Sequence, residues 1–207
     1  NYVELVKRSM GDKDYRRLIH DREYRPEQLS ALILKKLKTD AETFFRNQGT
    51  PQDVTEAVIT VPAYFNDAQR TATEQAGVIA GLTVRAVIPE PTAAAVAYSA
   101  TDAGDQTLLV YDLGGGTFDV TVMRVAGGKV ETVVIEGDHD LGGRNWDERV
   151  VAHVADRWKQ EAGTADDPLA DPETQQELFK LAEDAKRNLS RLGKSPLRVA
   201  HAGRSVR

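Results

Sequence analysis

Cysteine is absent from this 207-residue chain, which removes disulfide scaffolds, thiol nucleophiles and every cysteine-based zinc site. A cysteine-free chain fits a reducing compartment. Histidine is scarce. His20, His139, His153 and His201 are scattered, and no two are spaced to share a metal on one helical face. No apolar run approaches the roughly 20 residues needed to cross a bilayer, and no charged-then-apolar leader opens the chain, so no membrane role is expected. Basic charge is missing from the middle: residues 51–141 hold 4 Lys and Arg against 13 Asp and Glu. A segment at −9 would repel a nucleic-acid backbone, so nucleic acid is excluded as a partner, whereas a divalent cation would suit it. The plainer reading is a solvated acidic surface. The first residue is Asn1 and not Met, and the expectation is of a piece of a longer protein.

With 41% hydrophobic and 29% charged residues, the rest of the composition is that of an ordinary globular protein. Apolar positions Leu29, Ile33, Leu37, Ala41, Phe44 and Phe45 recur at helical spacing between Pro26 and Asn47, and predict one face of an amphipathic helix. Ala57–Val61 is a short run closed by Pro62 and is expected to be a strand buried on both faces. Asn66 with Gln69 has the spacing of a capping box, and the helix it opens should run past Ala76 and Ile79 to Gly81. Thr83–Ile88 is a second strand. Pro91 opens a small-residue helix over Thr92–Tyr98. A polar turn over 101–106 follows, and then glycine-rich turns separate three apolar runs, Thr107–Asp112, Phe118–Val125 and Lys129–Glu136, in the manner of a β-meander. Helices over Trp146–Glu161 and Glu173–Arg191 end the chain. Strands alternating with helices predict an α/β protein of at least two lobes.

The most informative stretch is Tyr111–Asp119, with three consecutive glycines between two strands. A tight hairpin needs fewer. Gly114, Gly115 and Gly116 allow the backbone to approach a ligand closely, with amide N–H groups turned toward an anion. Asp112 and Asp119 bracket the loop where carboxylates could reach a hydrated Mg²⁺ over the same phosphates, and Thr117 adds a hydroxyl. A flexible hairpin with incidental acids is the alternative. Phosphoryl transfer to water needs clamped phosphates, neutralised charge and an oriented water. Glu90, on a Pro-Glu-Pro elbow at a strand's carboxyl end, is a candidate for that chemistry, or a helix-capping carboxylate. Lys7 and Arg8 would supply a cation only if the fold brings them back. Glu183, Lys186, Arg187 and Ser190 share one helical face, either as a site or as an exposed salt-bridged surface. Leu141-Gly142-Gly143 precedes a helix whose N-terminus could meet a ribose or diphosphate. Gly193-Lys194-Ser195 resembles the end of a P-loop, but Asn188 stands where the upstream glycine is required.

The segments VITVPAYFNDAQR (58–70), EPTAAA (90–95), YDLGGGTFD (111–119), Leu141–Gly143 with Asp147, and AEDAKRNL (182–189) together resemble the nucleotide-binding domain of DnaK-type 70-kilodalton heat-shock chaperones. The glycine loop alone would indicate only the wider actin-like ATPase superfamily, and VPAYFNDAQR with EPTAAA narrows it. The resemblance implies a partial actin-like, ribonuclease H-like α/β fold, two-lobed and incomplete at both ends. Its implied divisions are the outer part of lobe I (1–30), the base of lobe I (31–105), the base of lobe II (106–141) and the outer part of lobe II (142–207). It also implies ATP or ADP with Mg²⁺ as cofactors. Lys7, Glu90, Asp112 and Thr117 take the catalytic positions, and Asp112 and Asp119 those near the metal. Gly114, Gly115, Gly116, Gly143, Glu183, Lys186, Arg187 and Ser190 take the nucleotide contacts, and Pro62 and Arg70 an interdomain relay. Implied partners are unfolded polypeptide, held by a substrate-binding domain beyond this chain, a J-domain co-chaperone and a nucleotide-exchange factor. The implied location is cytoplasmic. The parent would be an ATP hydrolase, and the isolated piece inactive. Pro89, Arg144, Asn145 and Ala86 depart from the family pattern, which motivates the alternative of a divergent actin-like interaction protein that binds nucleotide without productive hydrolysis.

Overall fold

The computed structural model describes residues 3, 5–99, 104–164 and 166–206. The expected polar turn over 101–106 lies partly outside these. The described residues form a mixed α/β chain that divides into two compact units. One comprises residues 1–112 with 119–137, the other 113–118 with 138–207.

The first unit opens with a short 3-10 helix, Val6–Ser9, and a hairpin of β1 (Arg17–Ile19) and β2 (Arg22–Tyr24). His20 and Asp21 both take positive φ, 48° and 60°, giving the mirror-image turn whose twist suits a two-residue hairpin. Helix α1 (Pro26–Asn47) starts at a proline whose missing N–H costs nothing in a first turn. It has the bounds that its periodicity predicts, but not the predicted burial. Leu29 and Ala31 are buried, whereas Ile33, Leu37 and Phe44 are each more than half exposed.

Strand β3 (Glu56–Val61) pairs in parallel with β4 (Thr83–Pro89) through helix α2 (Asp67–Ile79). The capping box is made as its spacing implies: Gln69 N donates to Asn66 Oδ1 and Asn66 N donates to Gln69 Oε1, both at 3.0 Å. The expectation that β3 is buried on both faces is overturned. Ile59 and Val61 face the core while Glu56, Val58 and Thr60 are exposed, because among the described residues this sheet has two strands and α2 packs on one side. The core gathers Met10, Ala31, Val61, Phe65, Ala76 and Leu82. Helix α3 (Glu90–Ser99) follows β4 without a break. Strands β5 (Gln106–Leu113), β6 (Phe118–Ala126) and β7 (Lys129–Asp138) form a three-stranded sheet in chain order, as the glycine-punctuated runs predict. Gly127 and Gly128, both at positive φ, make the β6–β7 turn.

In the second unit, α4 (Gly143–Ala162) packs on α5 (Pro172–Leu189) around Val151, Trp158, Leu178, Ala182 and Val199. Asp171 caps α5 by accepting from Thr174 N. A last hairpin, β8 (Val199–His201) and β9 (Arg204–Val206), is fastened to the helices. The His201 ring stands edge-on to Trp158, its Nδ1 lies 3.3 Å from Thr174 Oγ1, and its Nε2 lies 3.3 Å from Asp166.

Candidate functional site

In the first unit, the elbow at the end of β4 carries Glu90 into the first position of α3. Lys7, on the 3-10 helix, reaches it from 83 residues away: Nζ lies 2.7 Å from Glu90 Oε1, with the lysine half-exposed and the glutamate largely covered. This is the return of an N-terminal cation that periodicity cannot show. Pro62 is fully buried at the end of β3. Arg70, one turn into α2, donates to the carbonyl oxygens of Phe65 at 2.9 Å and Ala63 at 3.3 Å, which braces the segment that follows Pro62. Asp112, near the end of β5, is exposed, and Asp119, in the second position of β6, is buried. Among the described residues no group of three or more His, Asp or Glu is arranged to hold a metal ion.

In the second unit, the glycine loop is closed by Gly114 N donating to Thr117 O at 2.9 Å. It rests on the start of α4. Gly143 N donates to Gly114 O at 2.9 Å and Arg144 N to Gly115 O at 2.8 Å. A helix N-terminus leaves its first amides without helical partners, and here loop carbonyls take two of them. In this structure these two amides hold the loop. The fit leaves no room for a side chain at Gly142, where a Cβ would stand 2.5 Å from Gly116 N and 2.6 Å from Gly115 C. At Gly115, by contrast, a Cβ would meet nothing within 4 Å, so the loop's tip is open.

Across from α4, Lys186 on α5 donates to Gly143 O and to Asp147 Oδ2, both at 2.9 Å, and its Nζ lies 2.8 Å from Asp147 Oδ1. Arg144 stacks on Phe179 with its guanidinium carbon 3.5 Å from the ring centroid, and also pairs with Glu148. Arg187 and Glu183 form an exposed pair at 2.7 Å, and Ser190 is the exposed C-cap. The helical face thus splits: Lys186 is tied to α4, while Glu183, Arg187 and Ser190 face solvent. Sequence reasoning missed Asp147 as a partner. Its spacing from Gly143, four residues on one helix, was the available signal.

The described residues thus form an α/β chain in which a glycine-rich loop between two strands is seated on the start of a helix. Residues 2–203 match the family model described as Hsp70 protein, and the chain belongs to the Hsp70 family, whose fold is the actin-like ATPase fold. It is 50% identical over 188 residues to the chaperone protein DnaK of Halobacterium salinarum, covering 91% of this chain and 29% of that protein. It is 47% identical over 189 residues to the chaperone protein DnaK of Thermotoga neapolitana, covering 91% and 30%. The chain spans less than a third of the length of these curated relatives. No helix among the described residues is long and apolar enough to cross a membrane.

Proposed function

We propose that this chain is the part of an ATP-hydrolysing molecular chaperone that holds Mg-ATP, with hydrolysis driving the binding and release of unfolded polypeptide in the cytoplasm. The observation that carries the reading is the Lys7–Glu90 pair, two residues of assigned chemical role joined at 2.7 Å across 83 positions. Lys7 fixes the orientation of the Glu90 carboxylate, which accepts the proton of the attacking water, and Lys7 stabilises the charge on the transferred phosphoryl oxygens. Thr117, in the glycine loop, supplies a hydroxyl to the chemistry. The open tip of the loop at Gly115, with Gly114 and Gly116, admits phosphates to the backbone. Glu183, Lys186, Arg187 and Ser190 line the nucleoside end, with Gly143 beneath Lys186.

Asp112 and Asp119 would hold Mg²⁺. Mg²⁺ keeps several of its waters and takes other ligands from substrate phosphates, so one or two carboxylates suffice. When bound, it would neutralise phosphate charge. Pro62 and Arg70 form the relay to a peptide-binding domain, on which a J-domain partner and an exchange factor act. In domain terms, residues 1–30 and 31–105 belong to one lobe and 106–141 and 142–207 to the other.

The test is single-turnover hydrolysis in the parent-length protein. Lys7→Ala and Glu90→Ala should each slow the chemical step by roughly 10²–10⁴-fold while ATP affinity changes far less. Unchanged rates would remove the assigned roles and favour a nucleotide-binding protein without productive hydrolysis.

A further inference from the structure

We infer that Asp147 is a positioning residue that makes the α5 end of the site electrically neutral, so that this end takes the uncharged nucleoside and leaves the phosphates to the glycine loop. The inference rests on the nucleotide reading above and deepens it.

Lys186 stands beside the start of α4, where the helix dipole carries positive charge. An ammonium there, next to a loop suited to anions, would be a second anion trap. It would compete for the triphosphate and admit it in the wrong direction. Asp147 prevents this. Asp147 is 7% exposed, and its carboxylate lies 2.8 and 2.9 Å from Lys186 Nζ through its two oxygens, close enough to cancel the charge at the site. A buried carboxylate without such a partner would be costly, so each member requires the other. The Gly143 carbonyl takes one N–H of the ammonium and Asp147 Oδ2 a second. Asp147 Oδ1 stands nearer still, at 2.8 Å, so protein oxygens surround the ammonium and little of its charge is left to draw a phosphate. The next residue, Arg187, faces solvent and is paired with Glu183 at 2.7 Å. Both cations at this end of α5 are thus matched by a carboxylate.

The inference predicts effects of opposite sign, which a mere loss of structure would not produce. Weak binding by the 207-residue chain can be read from amide shifts in NMR titrations with adenosine and, separately, with inorganic tripolyphosphate. Asp147→Asn should weaken adenosine binding about three- to tenfold and strengthen tripolyphosphate binding about threefold, the scale of one added charge some 7 Å away in water. Asp147→Glu should restore both. If the Asn variant does not fold, Asp147→Ser removes the same charge with a smaller side chain. Parallel loss of both affinities, or no change in either, would overturn the inference. A wild-type chain that binds tripolyphosphate but not adenosine would overturn the nucleotide reading instead. In that case, a tripolyphosphate gain in Asp147→Asn would still support charge cancellation by Asp147.

Discussion

Replacing Gly142 by alanine tests whether the glycine loop and α4 are one fitted piece. The added Cβ would stand 2.5 Å from Gly116 N and 2.6 Å from Gly115 C and O. All three are backbone atoms, so no side-chain rotation relieves the clash. Either the loop lifts off the helix or the backbone strains. Lifting the loop breaks the bonds from Gly143 N to Gly114 O and from Arg144 N to Gly115 O. Losing two such bonds costs about 1–3 kcal/mol, and the alternative, forced overpacking, also costs about 1–3 kcal/mol, so the expected loss is about 1–3 kcal/mol by either route. For a chain of this size that is a fall in Tm of about 2–12 °C. Urea and thermal unfolding followed by tryptophan fluorescence would read it, since Trp158 is fully buried in the same unit. Two neighbours serve as controls. Gly115→Ala meets nothing within 4 Å and should leave stability within about 0.5 kcal/mol. At Gly143 a Cβ would lie 3.0 Å from the end of the flexible Lys186 side chain, which can yield, so the cost should stay under about 1 kcal/mol. A Gly142→Ala protein as stable as Gly115→Ala would refute the reasoning.

Lys7→Ala should change the stability of the chain by less than about 1 kcal/mol, because the lysine is half-exposed and its pairing is screened. A larger loss in urea unfolding would mean that rate effects at Lys7 cannot be read as chemistry. Thr121 is fully buried on β6 and its hydroxyl has no hydrogen-bond partner among the described residues, so Thr121→Val should raise stability by about 1 kcal/mol in the same assay. A loss of that size would instead reveal a partner for the hydroxyl. Hydrogen bonds from the Thr174 side chain and backbone hold the Asp171 carboxyl below its usual range. A lowered folded-state pKa stabilises above the unfolded value of about 3.9, and the benefit is lost as pH falls through the folded one. Asp171→Asn should therefore flatten the fall of the urea midpoint below about pH 4, and an unchanged acid slope would refute this.

The sequence made local features legible because they are written in adjacent residues. The bounds of α1, the Asn66–Gln69 box and the glycine-separated strands all follow from spacings of two to four positions. What escaped has long range or no period. Strands β1, β2, β8 and β9 have three residues each, too few for alternation to register, and His20-Asp21 is not a turn pair that composition flags. The burial of α1 and β3 was overestimated, since an apolar stripe states which face wants cover and not whether this chain provides it. The Lys7–Glu90 contact spans 83 residues and the Lys186–Asp147 contact 39, distances that only the fold closes. Nothing in the Leu141-Gly142-Gly143 run signals that the loop backbone fills the space beside Gly142.

The glycine loop, residues 113–118, groups with 138–207 although it sits between β5 and β6 of the other unit. During synthesis the loop therefore leaves the ribosome well before the helix that seats it, and it must wait with its carbonyls solvated until α4 arrives. The order cannot be reversed by cutting the gene: a polypeptide of residues 138–207 would begin folding with the amides of Gly143 and Arg144 facing water and the groove beside Gly142 empty. Inheritance of this region by recombination would have to carry the β5–β6 hairpin along with it.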